Sequence, residues 1–312
     1  MININLADKI EIIVLMDNYS DVLLTSTEKA QRPPLAHGSK MAGPLICEHG
    51  LSLFVEVFKE NRSHKIIMDG GWSETGVINN INALDIDISD VEAVVLSHGH
   101  MDHFGSFEKM SGMFSGKVPL ILHPDALLTT RFLRIPDGRE VRFPILNESS
   151  LEKAGYVPIK TRFPYLLASS MIATTGEIKR VTDFEKGMPG AFYEKNGEIK
   201  VDTIRDDLSL ILNLKDKGLV IISGCAHSGI INTVRHIRKI TGIDKVYAVI
   251  GGFHLSGPAF EPLIGTTVSE MKKINPEIVI PMHCTGFKAT QSFAQNMPDQ
   301  FIPSSVGVKI SL

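Results

Sequence analysis

Four residues of the types that bind metal ions lie within six positions, directly after an apolar segment. His98, His100, Asp102 and His103 follow residues 91–96, whose β-branched and apolar side chains predict a buried strand. At a strand end, residues two apart point the same way, so His98 and His100 can bind one cation together. After the chain turns, Asp102 and His103 can face a second cation. Imidazole combined with carboxylate favours zinc, iron or manganese over magnesium or calcium, which prefer oxygen ligands alone.

The same order of predicted elements occurs twice along the chain. Each copy is a β-hairpin followed by helix, strand, helix and strand, and such a repeat indicates an internal duplication. The first copy has strands at 51–58 and 65–69, a helix at 72–84, the strand at 91–96, a helix at 108–113 and a strand at 118–122. The second has strands at 208–214 and 219–223, a helix at 230–241, a strand at 246–250, a helix at 269–274 and a strand at 278–281. Two such halves predict one α/β (α+β) domain over residues 1–312, with two sheets packed face to face and helices outside, in four αββα layers.

Residues 124–205 lie between the two halves and have no strong pattern, which predicts an insertion or cap. This region contains a cluster of arginines: Arg131, Arg134, Arg139 and Arg142. One interpretation is a solvated loop or helix face. The other is a cap over the site, whose arginines bind a phosphate or carboxylate of a substrate.

The composition excludes several classes of protein. A net charge of −3 over 312 residues gives no reason to expect nucleic acid or an acidic membrane as a partner. No apolar run reaches the roughly 18 residues that a membrane helix needs, and the N-terminus lacks the features of a signal peptide. The three cysteines, Cys47, Cys225 and Cys284, are widely spaced and form no disulfide framework or four-cysteine cluster. We expect a cytoplasmic protein, and the sequence leaves its oligomeric state open.

The spacing of the ligand-type residues, His98-x-His100-x-Asp102-His103 after a strand, resembles the HxHxDH signature of the metallo-β-lactamase superfamily. The resemblance implies the four-layer αββα sandwich of that superfamily. It also implies two divalent metal ions, zinc first, with iron or manganese as alternatives. Asp69, at the end of an earlier predicted strand, resembles an aspartate that orients a ligand histidine in the family through a hydrogen bond.

Four residues from one loop do not complete two metal sites, so other strand ends must contribute. His283 ends the last strand, where the superfamily typically supplies its final histidine, and His227 stands between a strand and a helix. The alternatives are a buried structural histidine at 283 and a helix-cap region at 227. His254, the counterpart of the main motif in the second half, is a ligand, an acid that protonates a leaving group, or a structural residue. Many superfamily members have an aspartate where this chain has Cys225, which is therefore either a thiolate ligand or an inert buried thiol.

The other histidines are predicted to be surface, loop or strand-end residues: His37, His49, His64, His123 and His236.

Further segments resemble one branch of the superfamily, the dihydropterin ribofuranosylaminobenzene-phosphate synthases. They are Asp206-Asp207 and residues 218–229, 251–255 and 283–287. The name of this branch implies a transfer, in which a pterin-methyl diphosphate condenses with an arylamine ribose phosphate and a metal binds the diphosphate leaving group.

Three functions are therefore compatible with the sequence. The first is a metal-dependent hydrolase of an anionic small molecule, an ester or phosphoester, in which Asp102 takes a proton from the attacking water. The second is the pterin-methyl transferase of the branch. The third is a non-catalytic or redox protein that binds metal.

Overall fold

The computed structural model describes the backbone of residues 1–312 and the side chains of all residues except His37, so the prediction for His37 lies outside the described residues. The helices are α1 (Gly76–Ala83), α2 (Phe107–Met110), α3 (Glu148–Ala154), α4 (Ile230–Thr241), α5 (Ile264–Ile274) and α6 (Phe287–Asn296). The strands are β1 (Leu6–Ala7), β2 (Lys9–Met16), β3 (Ala30–Gln31), β4 (Ala36–His37), β5 (Lys40–Met41), β6 (Ser52–Lys59), β7 (Arg62–Met68), β8 (Ala93–Val95), β9 (Val118–Leu122), β10 (Arg131–Arg134), β11 (Glu140–Arg142), β12 (Tyr156–Lys160), β13 (Leu166–Leu167), β14 (Ile172–Thr174), β15 (Ala191–Lys195), β16 (Glu198–Val201), β17 (Ser209–Leu214), β18 (Gly218–Ser223), β19 (Val246–Gly252), β20 (Ile278–Met282) and β21 (Lys309–Ser311).

Two large sheets form the centre of the molecule. The N-terminal sheet has the order β12-β9-β8-β7-β6-β2-β21-β3, and the C-terminal sheet has the order β13-β14-β17-β18-β19-β20 with β1 beside β17. In each sheet a hairpin, β6-β7 or β17-β18, is followed by two parallel strands. The predicted duplication is therefore present in the pairing of the strands as well as in their order.

Side chains alternate between the two faces of each sheet, and this alternation produces the four layers. In β18, Val220 and Ile222 point into the core between the sheets, while Leu219 and Ile221 point outward to the layer of α4, α5 and α6. In β6, Val55 points inward, and Phe54 points to the layer of α1, α2 and α3. Each fully buried side chain of this size contributes about 1.5–3 kcal/mol relative to exposure. The predicted α/β class with its αββα sandwich is confirmed.

One predicted helix has the bounds that the structure shows, and another starts too early. The prediction 230–241 coincides with α4, whose one face packs on the sheet. The first predicted helix, 72–84, starts too early: the backbone N–H groups of Trp72 and Ser73 donate to the Glu48 carboxylate instead. Helix α1 consequently begins at Gly76.

Residues 124–205 are distributed over three sheets. Strand β12 extends the N-terminal sheet and β13–β14 extend the C-terminal sheet, whereas β11-β10-β15-β16 form a separate small sheet. Phe143, next to the end of β11, places its ring 4.9 Å from that of His100. The small sheet therefore lies beside the loop that carries the ligand-type residues.

Within the described helices, no segment has the length and apolar character required to cross a membrane.

Candidate metal centre

The ligand-type residues lie at one edge of the sandwich because strands of both sheets end there. His98 follows β8, His227 follows β18 and His283 follows β20. Strands β18, β19 and β20 are parallel, so the loops after them meet at the same edge. All six predicted ligands are brought together there: His98, His100, Asp102, His103, His227 and His283.

Three buried imidazoles form the first candidate position. His98, His100 and His227 each offer a ring nitrogen within 4.8 Å of the others, and the Nε2 atoms of His98 and His227 are 3.2 Å apart. The Ser97 hydroxyl lies 3.0 Å from Nδ1 of His98, on the far side of the ring. Burial, followed by the charge of Arg131, lowers the pKa of His100 to about 3, and burial also lowers the pKa of His98 and His227. All three rings are therefore neutral and have lone pairs for a cation.

Asp102, His103 and His283 form the second candidate position. Oδ2 of Asp102 lies 3.3 Å from Nε2 of His283 and 3.8 Å from Nε2 of His103. As expected, Asp69 orients a histidine: its Oδ2 is 2.7 Å from Nδ1 of His103. Burial lowers the pKa of His103, but the charges of Asp69 and Asp102 outweigh it and raise that pKa to about 9.

The same surroundings determine the charge of Asp102. Burial raises the pKa of its carboxyl, but His103 and His283 outweigh burial and hold that pKa well below its usual range. The carboxylate is therefore ionised at neutral pH, as a cation requires of such a ligand.

Cys225 lies between the two positions. Its Sγ is 3.2 Å from Nε2 of His103, and it shares a cluster of candidate ligand atoms with His98 and His103, and another with His283 and Cys284. Burial raises the pKa of the Cys225 thiol, so the metal-free protein carries a neutral thiol there. A bound cation would favour the thiolate, since the thiolate is the form that ligates metals.

His254 follows β19 and lies on the other side of His227. Their ring centroids are 4.1 Å apart, and Nδ1 of His254 is buried without a hydrogen-bond partner among the described residues. The ring faces a cavity of about 390 Å³, whose walls include Phe184, Phe253 and Phe260. His254 is thus placed to contact both the candidate ligand His227 and a molecule bound in the cavity.

The donor atoms fit divalent cations. Nε2 of His283 is buried without a hydrogen-bond partner among the described residues, and two neutral Nε2 atoms of other histidines face one another. Buried polar atoms of this kind normally have partners. Imidazole, carboxylate and thiol groups are ligands that zinc and related transition metals accept.

A buried ion pair supports the loop that carries the first two histidines. Oδ2 of Asp206 accepts the backbone N–H of Gly99 at 2.7 Å, and the same carboxylate accepts from the guanidinium of Arg131. On the other side of the loop, a Cβ on Gly99 would lie 2.2 Å from the carbonyl oxygen of Ala126, so only glycine fits there. Arg131 is therefore buried and paired with acidic side chains of the protein itself.

Sequence reasoning missed two polar residues that follow β2. The Asp17 carboxylate accepts the backbone N–H of His283 at 2.8 Å, and the Asn18 amide contacts the His283 side chain. Strand β2 is in the N-terminal sheet, whereas β20 is in the C-terminal one. Polar residues directly after a buried strand, as in the 98–103 loop, are the signal that identifies them.

The structure adds one contact to the expectation for His49. The sequence favours a loop histidine at the surface, and its side chain is 55% exposed, but Nε2 lies 3.5 Å from Oδ2 of Asp102. The remaining described histidines lie elsewhere. Both ring nitrogens of His123 have hydrogen-bond partners, the backbone N–H of Asp125 and the Glu177 carboxylate, as expected of a strand-end histidine. The predicted surface residues His64 and His236 are half-buried, His64 against Glu92 and His236 against the Thr175 carbonyl.

The chain is similar in sequence and fold to several known proteins. Residues 47–154 match the family model described as the metallo-beta-lactamase superfamily. A protein of Methanocaldococcus jannaschii named 7,8-dihydropterin-6-methyl-4-(beta-D-ribofuranosyl)-aminobenzene-5'-phosphate synthase is 32% identical over 83% of this chain and 88% of its own length. An uncharacterised protein of the same organism is 30% identical over 85% of this chain and 94% of its own.

Among solved structures, Tm1679, described as a metal-dependent hydrolase of the beta-lactamase superfamily, matches with a TM-score of 0.72. The match covers 96% of this chain and 98% of that one at 24% sequence identity, and it supports the fold. The M. jannaschii relatives and the matching family model show that the chain belongs to the metallo-beta-lactamase superfamily.

Proposed function

We propose that the protein is a metal-dependent hydrolase of an anionic small molecule, an ester or phosphoester. The observation that supports this proposal is the pair of adjacent ligand clusters, with Asp102 in one and Cys225 between them. The first cation would be held by His98, His100 and His227. The second would be held by Asp102, His103 and His283, with the Cys225 thiolate as a further ligand.

The protein side chains then have distinct roles. Divalent cations bound at these positions would supply Lewis acidity to water and to a substrate oxygen. The second oxygen of the Asp102 carboxylate accepts the proton of the attacking water as the new bond to the carbonyl carbon or phosphorus forms. His254 donates a proton to the leaving oxygen as the old bond breaks. Ser97 and Asp69 fix the ring orientations of His98 and His103.

A second candidate function is supported by the similarity to the named synthase of M. jannaschii. In this reaction the amine nitrogen of an arylamine ribose phosphate would bond to the methyl carbon of a pterin-methyl diphosphate and lose a proton. The carbon–oxygen bond to the diphosphate would break, and the diphosphate would leave with its charge neutralised at the metal positions. The aromatic lining of the cavity beside His254 is compatible with a flat ring. A non-catalytic or redox protein that binds metal is the third.

One set of assays separates these functions. Protein purified without added metal is first analysed for its elements, and then incubated with phosphodiesters, carboxylic esters and a pterin-methyl diphosphate with its arylamine acceptor. Hydrolysis of an ester supports the first proposal, and formation of the pterin–arylamine product without ester hydrolysis replaces it by the second. No turnover at full metal loading favours the non-catalytic alternative.

A further inference from the structure

The Asn18 side chain bridges two histidines of the candidate metal centre. Its Oδ1 lies 3.0 Å from Nδ1 of His283, and its Nδ2 lies 3.2 Å from the His283 carbonyl oxygen. Nδ2 is also 3.1 Å from Nδ1 of His49. Both hydrogens of the amide nitrogen and its oxygen thus have partners on these two residues.

The His283 carbonyl determines which way the amide points. A carbonyl oxygen only accepts hydrogen bonds, so the Asn18 atom facing it must be the nitrogen. The second hydrogen on that nitrogen then points to Nδ1 of His49, which must accept. Oδ1 of Asn18, in turn, accepts from Nδ1 of His283, which must donate.

The two histidines consequently have opposite tautomers. Neutral His283 carries its proton on Nδ1 and leaves a lone pair on Nε2, which is buried, has no hydrogen-bond partner among the described residues and lies 3.3 Å from Asp102. Neutral His49 carries its proton on Nε2, 3.5 Å from the same carboxylate oxygen. His283 is therefore suited to a cation and His49 to an oxygen that accepts a hydrogen bond.

The backbone holds His49 at this place although its side chain is half exposed. Glu48 accepts the N–H groups of Trp72 and Ser73, both at 2.9 Å, and its own N–H donates to the Asp17 carbonyl. A Cβ on Gly50 would lie 2.8 Å from the Trp72 nitrogen. The segment 48–50 is thus fixed against the loop after β7, and His49 faces the second position from the solvent side.

We propose that His49 is a substrate-binding residue, which donates a hydrogen bond from Nε2 to an anionic oxygen, phosphoryl or carboxylate, at the second position. Asn18 is the residue that positions it by fixing its tautomer. The proposal rests on the proposed function in one respect, since Asp102 and His283 would hold the cation to which the same anion binds.

Binding of inorganic phosphate to the zinc-loaded protein, measured by calorimetry, tests this role. A hydrogen bond to a charged group is strong enough that we expect His49→Ala to weaken phosphate binding about tenfold or more. His49→Gln keeps an N–H donor and is expected to stay within about threefold of the unmodified protein. The zinc content is expected to be the same in all three. Unchanged phosphate affinity in His49→Ala, or loss of zinc from it, would overturn the proposal.

The tautomer is measured separately, by long-range ¹H–¹⁵N spectra of protein labelled at histidine, at a pH well above the ordinary imidazole pKa of about 6.5. We expect the His49 proton on Nε2, and a mixture of tautomers in Asn18→Ala. A proton on Nδ1 of His49 in the unmodified protein would contradict the assignment. Neither measurement depends on turnover. A protein that binds phosphate through His49 but hydrolyses nothing would therefore refute the proposed hydrolase function and leave the proposed role of His49 intact.

Discussion

The guanidinium of Arg131 lies buried against the carboxylate of Asp206, with Nη1 2.8 Å from Oδ2. Nε of the same arginine is 2.7 Å from the Asp202 carboxylate, so the guanidinium forms ion pairs with two acidic side chains. Because Asp206 also accepts the N–H of Gly99, the ion pair connects strand β10 to the loop between His98 and His100. Burial raises the pKa of Asp206, but Arg131 outweighs it and lowers that pKa to about 2.

Asp206→Asn is expected to weaken metal binding at the first position by about 10- to 100-fold, the range for groups that orient a ligand. The neutral amide leaves Arg131 without its main partner, and the Gly99 loop loses a charged acceptor. Competition with a coloured chelator measures the affinity. Asp137→Asn, which alters an exposed pair with Arg139, is the control. Equal affinities in the two variants would show that the pair does not support the metal loop.

His98→Ala and His103→Ala are expected to remove bound metal and abolish activity. His98 belongs to the first candidate position and His103 to the second, so we expect each variant to lose the metal ion of its own position. Elemental analysis of each purified variant measures this. His64→Ala, which changes a histidine paired with Glu92 near the start of β7, is expected to keep its metal. Unchanged metal content in both of the first two variants would rule out the centre.

Cys225→Ser is expected to remove a sulfur-to-metal charge-transfer band from the near-ultraviolet spectrum of the cobalt-substituted protein. This band requires a thiolate bound to the ion, and Cys225 lies 3.2 Å from a proposed ligand nitrogen. Cys47→Ser is the matched control, because Cys47 is an exposed free cysteine. If the band is absent from the unmodified protein, Cys225 is an inert buried thiol.

Glu185 is expected to make the stability of the metal-free protein fall as pH rises from about 4.5 to about 7. Burial raises the pKa of its carboxyl from 4.5 to about 7, against hydrogen bonds from the N–H groups of Ile231 and Asn232. The folded state thus binds the proton more tightly than the unfolded state. The contribution of Glu185 to the free energy of unfolding is therefore complete below pH 4.5 and lost above pH 7. A shift of this size corresponds to about 3 kcal/mol.

Urea unfolding of the unmodified protein and Glu185→Gln across this pH range measures the effect. We expect the difference in their free energies of unfolding to change with pH, since the glutamine does not titrate. The exposed Glu152→Gln should track the unmodified protein throughout. A difference that stays constant from pH 4.5 to 7 would contradict the assigned pKa.

The fold was accessible from the sequence because it depends on periodic patterns. Alternation in β18 and the helical period of α4 are local, and the spacing from His98 to His103 is unusual enough to indicate the superfamily. The strand ends then place His227 and His283 at the same edge without knowledge of any contact. The proposed ligand set follows from these arguments together.

The supporting residues could not be found in the same way, because their roles depend on partners distant in the sequence. Asp206 acts through Gly99, 107 positions away, and Asn18 acts through His283, 265 positions away. His49 looks like an ordinary loop residue until Glu48 and Gly50 are seen to hold it in place. The region 124–205 has weak periodicity because its short strands are shared among three sheets.

The hydrogen bond from the His283 backbone to Asp17 joins residues that are 266 positions apart. During synthesis on the ribosome, Asp17 emerges long before His283. The complete second position can therefore form only after residue 283 has left the ribosome, whereas His98 to His103 are available much earlier. A nascent chain that captured a cation on those residues would hold it with an incomplete set of ligands until β20 docked.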